Sequence, residues 1–585
     1  MTKTENEGWL FFCGREVSAP SKGKAIMPRP TTRRHFLQTA VTATVAVGLE
    51  EWAKLLPLSP ATADEVKVTP DLVRFSPDIE PIVRLIEETP RDKCVGMMIQ
   101  QLKNGLPYRN FLAGLYLANI RTSMVDHPLA VLHSTNQLTL DLPVQERLLP
   151  TFWAMDSFKV HQGGGKNPLY TPKLKPLTGK LPSPDQAESE LNAGMESYDA
   201  ERAERAMAVL ARTQGAATVA EILWHYGARD WFFIGHQAIW AANCWRVLDT
   251  IGWQHAEPVL RVVLTNIMGD KKDLKWQPYA TNRERVRQNL AKLPPNWAGP
   301  LVASPAASGF VRELLALWRE STDVSRSESP RKGEFPGGVD SRITTHAIKK
   351  REAACDLVIK ELLDGKIKAG AVWDAVHLAA GEMMMCAHKG PEPGHSYTAS
   401  NALHYAFQAS AEPSNRLLAL LQAVGWLFHF RENMADKGWL KDPKRIDEFG
   451  GTEIGDNAEN VAQEILADLS FGPGAKLTAD PTPGFRGIQY NNCPWRHEAA
   501  KKAFTFAKKF GDPQPLFHAG YRLLPCKADW DPHRIKFPIG AAENYGWVSP
   551  EWRPHLSAAA SYVFIGADAL DTDLAKQVRE AVRKL

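Results

Sequence analysis

Apolar residues recur at three- and four-residue intervals in one segment after another of this chain, and alternating patterns are scarce. That spacing lines up one face of an α-helix, whose turn takes about 3.6 residues, and cannot line up the face of a strand, whose period is two. It predicts helices over 92–104, 108–121, 186–212, 311–319, 348–363 and 573–584. Stretches rich in Gly, Pro and Ser at 162–185, 292–308, 321–341, 389–396 and 470–487 read as loops. The expectation is an all-α, multi-helical body of repeated helical hairpins with long Gly/Pro-rich loops.

A loose internal repeat carries the hairpin reading. One copy runs from His127-Pro128-Leu129 to Pro143 and resumes at Arg147-Leu148-Leu149. The next runs from His236 to Pro258 and resumes at Arg261-Val262-Val263. The third runs from His395 to Pro413 and resumes at Arg416-Leu417-Leu418. Each opens on a histidine, continues as a helix, breaks near proline, and resumes as an apolar helix. Proline suits the first turn of the second helix, where its missing N–H costs nothing.

The N-terminal region has a separate logic. Thr31-Thr32-Arg33-Arg34-His35-Phe36-Leu37 precedes a mild apolar run, Ala40 to Leu49, and then the small-x-small triplet Ala61-Thr62-Ala63. Two arginines, a short apolar segment and a cleavage pattern in that order resemble a twin-arginine export signal, and the run is too short to span a bilayer. The expectation is a signal segment at 1–63, with Met27 an alternative start, followed by a mature chain that is periplasmic or secreted. The export machinery is then one partner. The polar stretch 321–345 reads as a linker or long loop dividing an N-terminal helical half, 64–320, from a C-terminal half, 346–585.

A formal charge of +4 without a concentrated basic stripe argues against a nucleic-acid partner. No later apolar stretch has the length of a stable membrane span. Six cysteines follow the signal and none forms a CxxC, which removes a thiol-redox pair, a zinc ribbon and c-type haem attachment. Cys493 and Cys526 flank a loop-rich segment and are the candidates for a disulfide; buried thiols are the alternative.

The histidines fall into groups. His127 and His133 are six apart, about 120° out of step on a helix, so His127 belongs at the helix entrance if the two act together. His225, Asp230 and His236 surround two glycines, with Asn243 two turns beyond His236 on the same face. His395, Asn401 and His404 form a third group, and nine residues place His395 and His404 on opposed faces of a straight helix. Asp531, His533, Lys536 and Glu543 form the last. The candidate catalytic residues are His133, Asp230, His236, His404 and Lys536. The candidate metal ligands are His127, His236, His395, His404, His533 and Glu543. Imidazole with carboxylate suits iron, zinc or copper, though no HExxH or ExxH spacing is present. The same imidazoles without metal are general bases. His377, Glu382, Met383-Met384-Met385 and Cys386 read as core filling rather than a soft-metal site. The many tryptophans, five of them from Trp224 to Trp253, line a pocket or fill gaps between helices.

The His-Pro-Leu opening at 127 and the Gly-His entrances at 235–236 and 394–395 resemble the helical questin-oxidase-like family. The resemblance covers short patches. It implies oxygen-dependent, Baeyer–Villiger-type opening of aromatic polyketides, carried by His127, His236 and His395. The leading expectation is thus an exported metal-dependent oxidoreductase with a His-lined site between helices, holding a divalent transition metal and taking a small-molecule substrate. Two alternatives stand beside it. One is a carbohydrate-active lyase or hydrolase of helical-toroid type, with Tyr397, His404 and Arg416 moving protons. The other is a non-catalytic helical-repeat protein of the envelope.

Overall fold

The computed structural model describes residues 67–69, 72–122, 126–143, 146–162, 174–229, 234–268, 278–300, 304–322, 343–386, 392–440, 444–470, 494–528 and 532–583. The signal segment 1–63 and most of the expected linker, 323–342, lie outside them. Within them the chain is all helical apart from a short antiparallel pair, Lys67–Thr69 with Leu72–Val73.

The apolar spacing places the helices well and their ends less so. Helices occupy Arg91–Lys103, Tyr108–Thr122, Pro305–Glu320, Thr345–Leu363 and Asp573–Val582. The helix at Pro305 starts six residues ahead of its apolar stripe because Ser304 caps it, accepting from the Ala307 N–H, and Pro305 fits the first turn. The single helix expected over 186–212 is two, Ala187–Ser197 and Ala200–Thr213. Tyr198 turns into the left-handed region at φ 59°, and Asp199 caps the second helix through the Arg202 N–H. Both helices keep their apolar faces inward, so spacing alone does not reveal the break.

The three expected hairpins are present. Asp126–Asp141 packs on Leu149–Gln162, His236–Ile251 on Ala256–Met268, and Glu392–Ala409 on Pro413–Asp436. His236 is the first residue of its helix and His395 the fourth. Pro413 is the first residue of its helix, and Pro258 sits in the first turn of its own.

Four helices build the centre. Asp126–Asp141 packs on His236–Ile251, which packs on Glu392–Ala409, which packs on His533–Trp547, which returns to Asp126–Asp141. The ring closes across both sides of the 321–345 segment, and one hydrophobic core runs through both halves. His236–Ile251 is buried nearly all round, as a central helix must be, whereas the peripheral Asp573–Val582 buries only Ala575 and Val578. An ion network fastens a neighbouring part of the core. The Glu382 carboxylate is met by Arg319 and, at 3.5 Å, by Arg431, and it accepts from the Ile446 N–H at 3.1 Å.

Among the described residues no helix is long and apolar enough to cross a membrane. Cys94, Cys244, Cys355, Cys386 and Cys526 are buried thiols. Cys493 lies outside the described residues.

Candidate functional site: a His–His–Lys cluster behind a polar cleft

Two Gly-His steps bring the ring's helices close enough for their histidines to meet. Gly235 has φ 81°, and a Cβ there would lie 2.7 Å from Ala399 Cβ on the His395 helix. A Cβ on Gly394 would fall within 1.8 Å of the Phe537 ring, on the Lys536 helix. Only hydrogen fits at either position. The residue that follows each glycine is the histidine, and the two rings meet with centroids 4.5 Å apart and Nε2 atoms 3.1 Å apart.

Lys536 extends this pair. Its Nζ lies 3.1 Å from His395 Nε2. The His533 ring, one turn earlier on the same helix, stands 4.9 Å from the His395 ring, and Trp240 stacks on His236. All four polar groups are buried, His395 and Lys536 to within 2% of complete. A neutral imidazole nitrogen offers one lone pair or one N–H. His395 Nε2 has two nitrogens at 3.1 Å and cannot accept from both at full strength.

Lys536 also borders open space. It lines a small polar cleft, together with Glu543, His133, Arg246, Asn243 and Asn401. Glu543 sits two turns beyond Lys536, on the same helix face. Its carboxylate accepts from Asn401 at 2.8 Å and from Arg246 at 3.1 Å, and pairs with His133 Nε2 at 3.1 Å. Burial alone would push the Glu543 carboxyl up; Arg246, His133 and Asn401 outweigh it and hold the group down at about 2. Burial, reinforced by Arg246, pushes the His133 imidazole below its usual range despite the carboxylate beside it. Arg246 lies over the Tyr405 ring at 4.1 Å and reaches Asn401 Oδ1 at 3.2 Å and Asn243 Oδ1 at 3.3 Å. The cleft therefore presents a fixed carboxylate, a fixed guanidinium, amides and one lysine.

The candidate residues divide accordingly. His236, His395, His533 and Lys536 come together, and His133 and Glu543 adjoin them across the cleft. His404 goes elsewhere. Its Nδ1 meets His377 Nε2 at 2.8 Å and its Nε2 meets Gln408 at 3.0 Å, while Trp373 stacks flat on it at 4.3 Å and Trp547 closes the edge at 4.8 Å. Burial, and the second imidazole beside it, hold His404 well below its usual range; burial puts His377 at about 3. Tyr397 and Arg416 do not line the cleft either, and Arg416 donates to the Phe407 and Ala298 carbonyls. Asp230, Asp531 and the side chain of His127 lie outside the described residues.

Sequence reasoning did not single out Arg246, and it set His377 aside. Arg246 had a signal: a lone cation in an otherwise apolar helix, one turn after Asn243. His377 had none, since its apolar neighbours read as core, and Met383, Met384, Met385 and Cys386 are indeed all buried.

Two imidazole nitrogens 3.1 Å apart suit one metal ion at about 2.0–2.1 Å from each, with an angle of about 100° at the metal. The rest of the set fits less well. Lys536 Nζ, as an ammonium at 3.1 Å from one of those nitrogens, would repel a cation. Among the described residues no three His, Cys, Asp or Glu side chains are placed to share a metal. The pair is two ligands of a site, not a complete one.

No family model, curated protein or solved structure matches the chain.

Proposed function

We propose that this chain is an enzyme that transfers protons to and from a small polar substrate held in the cleft between the four central helices. The observation that carries the reading is the position of Lys536. It is 2% exposed, it lines the cleft, and its Nζ reaches a buried imidazole that in turn reaches a second. A group that touches both the substrate space and a proton reservoir is what general acid–base chemistry requires. Arg246 is the donor group for a developing oxyanion, and Glu543, Asn401 and Asn243 accept from it and fix its direction. Proton abstraction beside a carbonyl is the step this set is built for. Oxidoreductases that use dioxygen on an enolate and lyases that eliminate across one both begin there. Of the two, the oxidoreductase reading draws support from the resemblance carried by His236 and His395.

The test is α-proton exchange. The mature chain is held in deuterated buffer with a panel of small aldehydes and ketones, and the loss of α-proton signal is followed by NMR. Exchange that His395→Gln removes supports the proposal; a panel with no exchange above buffer counts against it.

A second reading keeps the metal. The 3.1 Å separation of His236 and His395 Nε2 favours it. Iron, zinc or copper bound there would supply Lewis acidity or dioxygen activation. Elemental analysis of protein taken from its native host separates the two: about one equivalent of a first-row metal, lost in His236→Ala, selects this reading.

We place the enzyme outside the cytoplasm, on the order of Arg33-Arg34, apolar run and Ala61-Thr62-Ala63. Replacing both arginines by lysine should hold the chain inside the cell with its N-terminal segment uncleaved, as fractionation would read.

A further inference from the structure

The tryptophans between Trp224 and Trp253 take no part in the proton chemistry, and three of them lead from the edge of the protein towards the cleft. We propose that Trp253, Trp245, Trp224 and Tyr405 form an electron-transfer chain that carries single electrons between the surface and the cleft. The inference rests on the oxidoreductase form of the reading above, in which dioxygen is the co-substrate.

The four rings stand in series and in contact. Trp253 is half-buried, next to exposed Gln254. Its ring centroid lies 4.6 Å from that of Trp245, Trp245 lies 5.8 Å from Trp224, and Trp224 lies 5.9 Å from Tyr405. These are the separations of touching aromatic rings. Trp245, Trp224 and Tyr405 are buried. They come from three different helices, Ala216–Gly227, His236–Ile251 and Glu392–Ala409, so the series is assembled only by the fold. Tyr405 ends it beneath the Arg246 guanidinium, 4.1 Å from the ring, and Arg246 lines the cleft.

Packing accounts for these contacts and leaves one thing over. Trp224 Nε1 is buried with no hydrogen-bond partner among the described residues. A buried indole N–H usually finds an acceptor, and lacking one costs stability that phenylalanine in the same place would not lose. For an electron carrier the missing acceptor has a use. An oxidised indole that keeps its N–H proton stays a strong oxidant and passes the vacancy on. An indole beside a base would lose the proton and trap the vacancy as a neutral radical.

The steps balance one electron at a time. An oxygen-derived radical at the cleft takes an electron from Tyr405, and the phenolic proton moves to a nearby carboxylate. Burial raises the Tyr405 phenol, and the Asp249 and Glu543 carboxylates raise it further. Asp249 is the better acceptor of the two. Burial holds its carboxyl up at about 6, whereas Glu543 stands at about 2. Trp224 then reduces Tyr405, which recovers its proton; Trp245 reduces Trp224, and Trp253 reduces Trp245. A one-electron reductant in solution, of the ascorbate or thiol class, restores Trp253. The net change is reduction of the radical by the outside donor, with every protein group returned to its starting state.

The experiment withdraws an electron at the surface end. Gln254→Cys in the full mature chain is labelled with a ruthenium polypyridyl complex, and peptide mapping confirms the label at position 254. Flash oxidation of the label with a cobalt(III) quencher takes an electron from Trp253, and the sample is frozen and read by electron paramagnetic resonance. The expected result is a tyrosyl radical that is lost in Tyr405→Phe, which assigns it. It is lost equally in Trp245→Phe and in Trp224→Phe, each of which interrupts the series while keeping a ring in place. Trp318→Phe, at a buried position outside the series, leaves it unchanged. Near-ultraviolet circular dichroism establishes that each variant is folded. No tyrosyl radical in the labelled chain, or one that survives a folded interruption, overturns the inference. The two proposals fail separately. Exchange of α-protons without the Tyr405 radical removes the electron route and leaves proton transfer standing. The radical without exchange keeps the route and removes the proton-transfer reading.

Discussion

His395 and His404 sit nine residues apart on one helix and have entirely different neighbours. His395 is pressed between His236 and Lys536, and of the three only Lys536 lines the polar cleft. His404 is packed between Trp373, Trp547 and His377. Both are buried, both pair with another imidazole, and both look alike in the sequence. Nine residues turn a helix through about two and a half turns, so the two rings leave opposite faces and enter different layers of the bundle. The difference teaches that imidazole pairing is not by itself a sign of chemistry. What separates the pairs is contact with a lysine that itself lines a cleft.

Substitution tests that contrast most sharply. His395→Gln should lower α-proton exchange by about 10²–10⁴-fold, the usual worth of a positioned acid–base group, and cost about 1–3 kcal/mol of stability because it removes a buried partner of His236. His404→Gln should leave exchange unchanged and cost about 1–3 kcal/mol in urea unfolding, because it strands His377 and loses the flat contact with Trp373. Equal losses of exchange in both variants would erase the distinction.

The glycine before His395 comes next in size. Gly394→Ala drives a methyl into the Phe537 ring and should cost about 3 kcal/mol or more, with exchange falling as the two helices separate. Gly96→Ala is the control, since a Cβ there meets nothing within 4 Å. It should stabilise the chain by about 0.5–1 kcal/mol, as removal of an exposed helical glycine does.

The sealed pair also predicts an acid limb. His377 has its pKa lowered from 6.5 to about 3, so below 6.5 the unfolded chain binds a proton that the folded chain refuses. Stability contributed by the neutral imidazole is complete above 6.5 and is lost as pH falls towards 3. By pH 5 the loss should reach about 2 kcal/mol for this group. Glu543 adds a further loss at lower pH, between its ordinary 4.5 and about 2, as protonation breaks its contacts with Arg246 and His133. Unfolding midpoints in urea measured from pH 7 to 4 would show the slope, and His377→Leu with His404→Phe should flatten its upper part.

Much of this was legible in the sequence, for local reasons. Apolar spacing gave the helices, and His-to-Pro punctuation gave the three hairpins. The helix wheel separated His395 from His404 and aligned Asn243 with His236. Lys536 and Glu543 lie seven apart, and that spacing puts them on one helix face. What local patterns cannot supply is which faces meet. Nothing near His404 announces Trp373, which comes from the neighbouring Ala369–Cys386 helix, and nothing near Glu543 announces Arg246, because those partners are set by which helices pack together. The break at Tyr198 was invisible for the opposite reason: the amphipathic stripe continues across it.

The contact between His133 and Glu543 joins residues 410 positions apart. A nascent chain therefore carries no cleft until its last helices have left the ribosome, and a fragment ending short of them carries none at all. Loss of the C-terminal helices should abolish function outright rather than trim it. A molecule assembled this way has no half-active precursor for the cell to restrain.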